Sequence, residues 1–99
     1  MISNVISRGS AYHVYDMSGK EIAFIPNSVG ELLGVCIDFV ILQNGGLFVT
    51  FDEFGKRVAS IPTIQGSFKN ATGSTFNLVK NGLITSYNKQ CQKIGSKSI

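Results

Sequence analysis

Residues 47–62 read Leu47-Phe48-Val49-Thr50-Phe51-Asp52-Glu53-Phe54-Gly55-Lys56-Arg57-Val58-Ala59-Ser60-Ile61-Pro62. Thirty-six positions earlier, residues 11–26 read Ala11-Tyr12-His13-Val14-Tyr15-Asp16-Met17-Ser18-Gly19-Lys20-Glu21-Ile22-Ala23-Phe24-Ile25-Pro26. Laid over each other without a gap, the two stretches share Asp16/Asp52, Gly19-Lys20/Gly55-Lys56, Ala23/Ala59 and Ile25-Pro26/Ile61-Pro62. Working outward adds Gly9/Gly45 and Gly30/Gly66, so residues 5–40 and 41–76 share 8 identities in 36. A shorter, more diverged unit covers residues 77–99. In it Leu83 matches Ala11 and Leu47, Tyr87 matches Tyr15 and Phe51, and Asn88 matches Asp16 and Asp52. Self-similarity at one fixed period is the signature of a repeat architecture.

Each unit reads as β structure. Tyr12-His13-Val14-Tyr15 and Leu47-Phe48-Val49-Thr50-Phe51 are rich in β-branched and aromatic residues. Gly9-Ser10, Gly45-Gly46 and Asn81-Gly82 suit tight hairpin turns, which need positive φ. Asp16 to Lys20 and Asp52 to Lys56 form a second turn type. Asp at its first position accepts backbone N–H bonds, and Gly19 or Gly55 supplies the left-handed residue. The only hint of helical periodicity, Val29–Ile37, contains Gly30 and Gly34, each disfavouring helix by about 1 kcal/mol. Eleven short strands are predicted, near 2–8, 11–16, 21–26, 31–37, 39–44, 47–52, 57–62, 67–72, 75–80, 83–88 and 92–97.

The expected fold is therefore all-β. It is one domain over residues 1–99, an antiparallel meander of about 2.75 repeats of 36 residues, closed as a small barrel or sandwich. The alternative is a trefoil-like or propeller-like assembly completed by oligomerisation. A WD-type propeller signature is missing, with no Trp and no Gly-His pair. Alternation puts Ala11, His13 and Tyr15 on one face and Tyr12 and Val14 on the other, and both faces carry large apolar groups. Such a sheet needs cover on both sides. In a chain this small that favours a homo-oligomer, most simply a twofold dimer.

The hairpins Tyr15-Asp16-Met17-Ser18-Gly19-Lys20 and Phe51-Asp52-Glu53-Phe54-Gly55-Lys56 carry a family resemblance. The chain resembles small bacterial proteins of unknown function built from repeated aromatic-Asp-x-x-Gly-Lys β-hairpins, of the kind found in phages or as integron-cassette orphans. That resemblance implies a β-hairpin repeat and no activity.

Composition narrows the class further. The chain has 99 residues, 43% hydrophobic and 15% charged, with 11 glycines and 2 prolines. That excludes a disordered charged tail, a collagen and a coiled coil. The net charge of +3 is unevenly spread. Residues 1–53 hold two bases and all six acids, whereas residues 54–99 hold seven bases and no acid. The basic half could meet an anionic surface, or the halves could complement each other. Cys36 and Cys91 make neither a CxxC pair nor a zinc spacing, and two thiols are too few for a disulfide scaffold. The start shows no secretory pattern, and the apolar run Phe39-Val40-Ile41-Leu42 is far below the ~20 residues of a membrane span. The expectation is a cytoplasmic protein with reduced thiols, no cofactor, no metal and no membrane contact.

Candidate sites are few. His13 aligns with Val49 and Thr85, which makes it a strand-packing residue rather than a general base. Glu21, Glu31 and Asp38 read as solvated acids, with a carboxylate pair as the sharper option. Asp16, Gly19, Asp52, Gly55, Asn81 and Gly82 are turn residues. Cys91 takes the slot of Gly19 and Gly55, so the third turn is expected to change shape and leave Cys91 near the surface, while Cys36 packs inside. Lys80, Lys89, Lys93 and Lys97, near Tyr87, are the candidate anion-binding set. The leading expectation is a non-enzymatic binding module that self-associates and presents a surface to a protein partner. Anion or nucleic-acid binding through the basic half and lectin-like carbohydrate binding are the alternatives.

Overall fold

The computed structural model describes residues 1–98. Its strands group into three antiparallel meanders. The first sheet contains β1 (Ile2–Arg8), β2 (Ala11–Asp16) and β3 (Glu21–Pro26). The second contains β4 (Glu31–Val35), β5 (Phe39–Asn44), β6 (Leu47–Asp52) and β7 (Arg57–Pro62). The third contains β8 (Ser67–Thr72), β9 (Thr75–Lys80), β10 (Leu83–Tyr87) and β11 (Lys93–Ser98). The all-β expectation holds, and each strand lies within two residues of its predicted bounds. The continuous meander closed as a barrel or sandwich does not form. The chain leaves the sheet after Pro26 and again after Pro62, passing through short 3-10 helices at Asn27–Val29 and Thr63–Gln65.

The reason for the breaks is local. Proline lacks the N–H a further ladder bond would need. Asn27 N–H instead donates to Ser10 O at 2.9 Å, and Thr63 N–H to Gly46 O at 2.9 Å. Gly30 and Gly66 follow, at φ 148° and 153°. A Cβ on Gly30 would stand 2.7 Å from Gln43 O, and one on Gly66 3.0 Å from Val79 O. These two glycines are shared by the first two repeats because each starts a new sheet where only glycine fits. The sheets are thus phased differently from units 5–40, 41–76 and 77–99: two of them begin just after Gly30 and Gly66.

The period itself is preserved to the residue. Val5 faces Val14, Ile41 faces Thr50, and Asn77 faces Ser86, each pair 36 positions from the last. A register shift recurs between Val14/Tyr15, Thr50/Phe51 and Ser86/Tyr87. Between sheets the backbones approach where β1 meets β4 and where β4 meets β8.

Two apolar layers hold the sheets together. Val14, Ile25, Val40, Leu42, Val49 and Phe51 fill the space between the first and second. Phe39, Ile41, Phe48, Phe76, Leu78 and Tyr87 fill the space between the second and third. Phe76 stacks on Tyr87 with centroids 5.5 Å apart. Each fully buried side chain of this size contributes about 1.5–3 kcal/mol. The second sheet is apolar on both faces because it has a sheet on each side. The two-sided cover that alternation pointed to is therefore met within the chain for this sheet.

Candidate functional site

The hairpin turns are structural, and their geometry repeats. Asp16 Oδ1 accepts from the backbone N–H of Ser18 at 2.9 Å and of Lys20 at 3.0 Å, and from the Ser18 hydroxyl at 2.7 Å. These bonds, the Ser18 hydroxyl foremost, hold the Asp16 carboxyl below its ordinary pKa. Asp52 Oδ1 accepts from Phe54 and Lys56 in the same way. Gly19 and Gly55 are left-handed, at φ 84° and 81°. At the β9–β10 hairpin both Asn81 and Gly82 have positive φ, 54° and 78°.

The third copy of the Asp turn corrects one expectation. Its shape does not change. Asn88 Oδ1 accepts from Gln92 N–H at 2.9 Å, Cys91 N–H donates to Asn88 O at 2.9 Å, and Cys91 stands at φ 59°. Cys91 tolerates the left-handed slot because its side chain packs on the core between the second and third sheets. It is half-buried, and burial raises its thiol pKa. Cys36 is fully internal as expected. Its thiol donates to Thr75 O at 3.3 Å, and burial pushes its pKa up to about 12.

The four candidate lysines do not form one cluster. Lys89 Nζ lies 2.8 Å from Asp38 Oδ2, an ion pair that raises the Lys89 pKa and anchors the β10–β11 turn to the second sheet. Lys80 Nζ donates to Ile64 O at 2.9 Å. Lys93 is exposed at the start of β11. Lys97 instead joins Lys69 beside a cleft of about 480 Å³ on the far face of the third sheet. Thr75, Asn77 and Ser86 lie on its floor. Asn77 donates to Asn70 Oδ1 at 2.7 Å and accepts from the Ser86 hydroxyl at 2.5 Å. Lys69 escaped the sequence reading. The signal was present in the repeat, since Asn77 and Ser86 stand where Ile41 and Thr50 stand one period earlier.

The opposite end of the molecule is different in character. The outward face of the first sheet carries Ile6, His13, Tyr15 and Phe24. Ile6 and Phe24 are 41% and 61% exposed. One period on, Leu42, Val49 and Phe51 occupy the Ile6, His13 and Tyr15 positions and are buried. His13 is thus a strand residue on a surface face. Its Nδ1 lies 3.0 Å from Glu21 Oε1, and its ring lies 6.5 Å from that of Phe24. Arg8 reaches the same Glu21 at 3.8 Å. The acids weighed as a pair are separate: Glu21 serves Arg8 and His13, while Asp38 serves Lys89. Among the described residues, no three His, Cys, Asp or Glu side chains converge. No helix among them is long and apolar enough to cross a membrane.

No protein-family model matches the sequence, and no curated protein matches it. Solved structures do. The crystal structure of BamB from Moraxella catarrhalis superimposes with a TM-score of 0.55 and 18% identity, over 91% of this chain and 29% of that one. KlHsv2 with loop 6CD replaced by a Gly-Ser linker superimposes at 0.52 and 17%, over 85% of this chain and 30% of that one. Both are β-propeller proteins, and this chain spans less than a third of either. At these identities the likeness is one of fold: the three sheets are arranged as neighbouring propeller blades.

Proposed function

We propose that this chain is a non-enzymatic interaction module that works as a homo-oligomer, meeting a second copy through the outward face of the β1–β3 sheet. One observation carries the reading. That face keeps apolar and aromatic groups, Ile6, Tyr15 and Phe24, at a place where the next sheet has a neighbour and, among the described residues, this one has none. Its charges, Arg8 and Glu21, are opposite and side by side, so a twofold axis running between them sets the arginine of each copy against the glutamate of the other. The far face of the third sheet sets Ile84 and Ile94 among Lys69, Asn77, Ser86 and Lys97, and its amides are internally hydrogen-bonded, so a head-to-tail stack through it would bury charged and already bonded groups along with apolar ones. The propeller-like neighbours support an interaction role through fold alone.

Light scattering behind size exclusion tests this. A dimer that dissociates in the Phe24→Ser variant is the expected result. A strict monomer at about 100 μM, well above the Kd of a ~10 μM dimer, overturns it.

A second reading rests on the cleft between Lys69 and Lys97, whose amides and hydroxyls suit a small anion. Salt-dependent retention on heparin, weakened by Lys97→Gln, is its mark. Retention that vanishes well below physiological salt removes it.

A further inference from the structure

Among the described residues, the row of first strands runs from β8 to β4. In the second and third sheets a first strand pairs antiparallel with the next: β4 with β5, and β8 with β9. In the first sheet β1 holds the place of β5 and β9, and among the described residues no strand pairs with its second edge. The start of the edge is tied down. Ile2 is buried, and its N–H donates to Ile37 O at 2.6 Å. An unpaired edge is a template for one more strand.

The two existing junctions show what that strand must look like. Where β4 meets β8, Gly34 lies against Ala71 and Phe68. A Cβ on Gly34 would come within 2.8 Å of Ala71 Cβ and 2.9 Å of Phe68 Cζ. One period earlier, Val35 and Leu32 of β4 stand in the places of Ala71 and Phe68. Val35 is 37% exposed, whereas Ala71 is half-buried against the core. The strand that would cover Val35 lies beside β1, continuing the β8–β4 packing. Its register follows from Gly34 facing Ile41, because Ile41 is equivalent to Val5.

We propose that the free edge of β1 captures an extended peptide from a partner protein as a fourth, antiparallel strand. That peptide carries glycine or alanine opposite Val5, facing Leu32 and Val35, with apolar residues beside it. Main-chain bonds supply affinity, and the small residue supplies selectivity. The proposal deepens the interaction-module reading and rests on it, but uses the β1 edge rather than the sheet face.

The test uses a fluorescent synthetic peptide copying residues 28–37, with Cys36→Ser to prevent oxidation. Saturable binding to the full chain is expected, with hydrogen-exchange protection of the β1 amides. A Gly34→Val peptide should bind about tenfold more weakly, because the larger side chain meets Leu32 and Val35. Methylating alternate peptide nitrogens should abolish binding without altering the protein. Absence of saturation at about 1 mM, equal binding of the valine peptide, or protection confined to other strands overturns the proposal. A dimer that persists in light scattering while the peptide fails sinks the edge proposal alone.

Discussion

The hydroxyl of Thr50, fully buried in β6, donates to the backbone carbonyl oxygen of Lys89 at 2.7 Å, across the gap between the second and third sheets. Lys89 is held twice, since its ammonium also pairs with Asp38. The β10–β11 turn is thereby fastened to the second sheet. Thr50→Val keeps the shape and removes the donor, leaving a carbonyl short of a partner in a dry layer. The expected loss is about 1–2 kcal/mol, and Thr50→Ser should recover most of it. Urea unfolding measures this, and an unshifted midpoint for the valine variant would contradict the role given to the bond.

Gly19 and Gly55 are equivalent in the repeat but not in their surroundings. Both are left-handed, so any side chain costs roughly 1 kcal/mol there. Gly19 has open space around it. A Cβ on Gly55 would lie 3.1 Å from the carbonyl oxygen of Phe24 and 3.5 Å from Ala23 Cβ in the first sheet. Gly55→Ala should therefore destabilise more than Gly19→Ala, and Gly55→Val by roughly 1–2 kcal/mol or more. Thermal melts of the pair decide it. Equal shifts would mean that the Asp52 turn does not touch the first sheet.

The Asp16 turn gives the acid branch of the stability curve a defined sign. Hydrogen bonds to the ionised carboxylate hold its folded pKa below the ordinary 3.8. A lowered folded pKa contributes stability that is present above the unfolded value and is lost as pH falls through the folded one. Stability should therefore decline below about pH 4, as such a carboxylate protonates. Asp16→Ala should be less stable at neutral pH and should show a shallower decline on acidification. A parallel acid branch in the variant would remove Asp16 from the account. The group is solvent-exposed, so the effect is small and best read as a change of slope.

What the chain spells out and what it conceals divide along physical lines. The 36-residue period, the strands and the Asp turns are local, and they read directly from Asp16, Gly19, Asp52 and Gly55. The split into three sheets was not legible. It depends on whether β3 and β4 pair, and hence on Pro26 and on Gly30 approaching Gln43 O, a contact set only in three dimensions. Charge counted along the chain groups the seven bases of residues 54–99 without saying which of them share a surface. Folding spends Lys89 on Asp38 and Lys80 on a carbonyl, and sets Lys97 beside Lys69 instead. Asn77 and Ser86 were visible departures from the repeat, but their meaning waited on knowing that, among the described residues, no sheet covers the face they occupy.

The two thiols offer the last test, because burial affects both and unequally. Cys36 is 3% exposed, donates to Thr75 O, and has a pKa pushed up to about 12. Cys91 is half-buried, and burial raises its thiol pKa as well. The thiolate is the reactive form, so both should label slowly in the native protein. Cys91 should label first, at a rate rising about tenfold per pH unit between pH 7 and 8. Cys36 should react only as fast as the molecule opens. The sign for stability follows from the raised folded pKa. The contribution is whole below the unfolded value of 9.0 and is lost as pH climbs through the folded one. Cys36→Ala should therefore weaken the alkaline decline in stability, even though it also removes packing. Mass spectrometry of time-resolved labelling reads the order of reaction, and faster modification at Cys36 than at Cys91 would refute the placement of both.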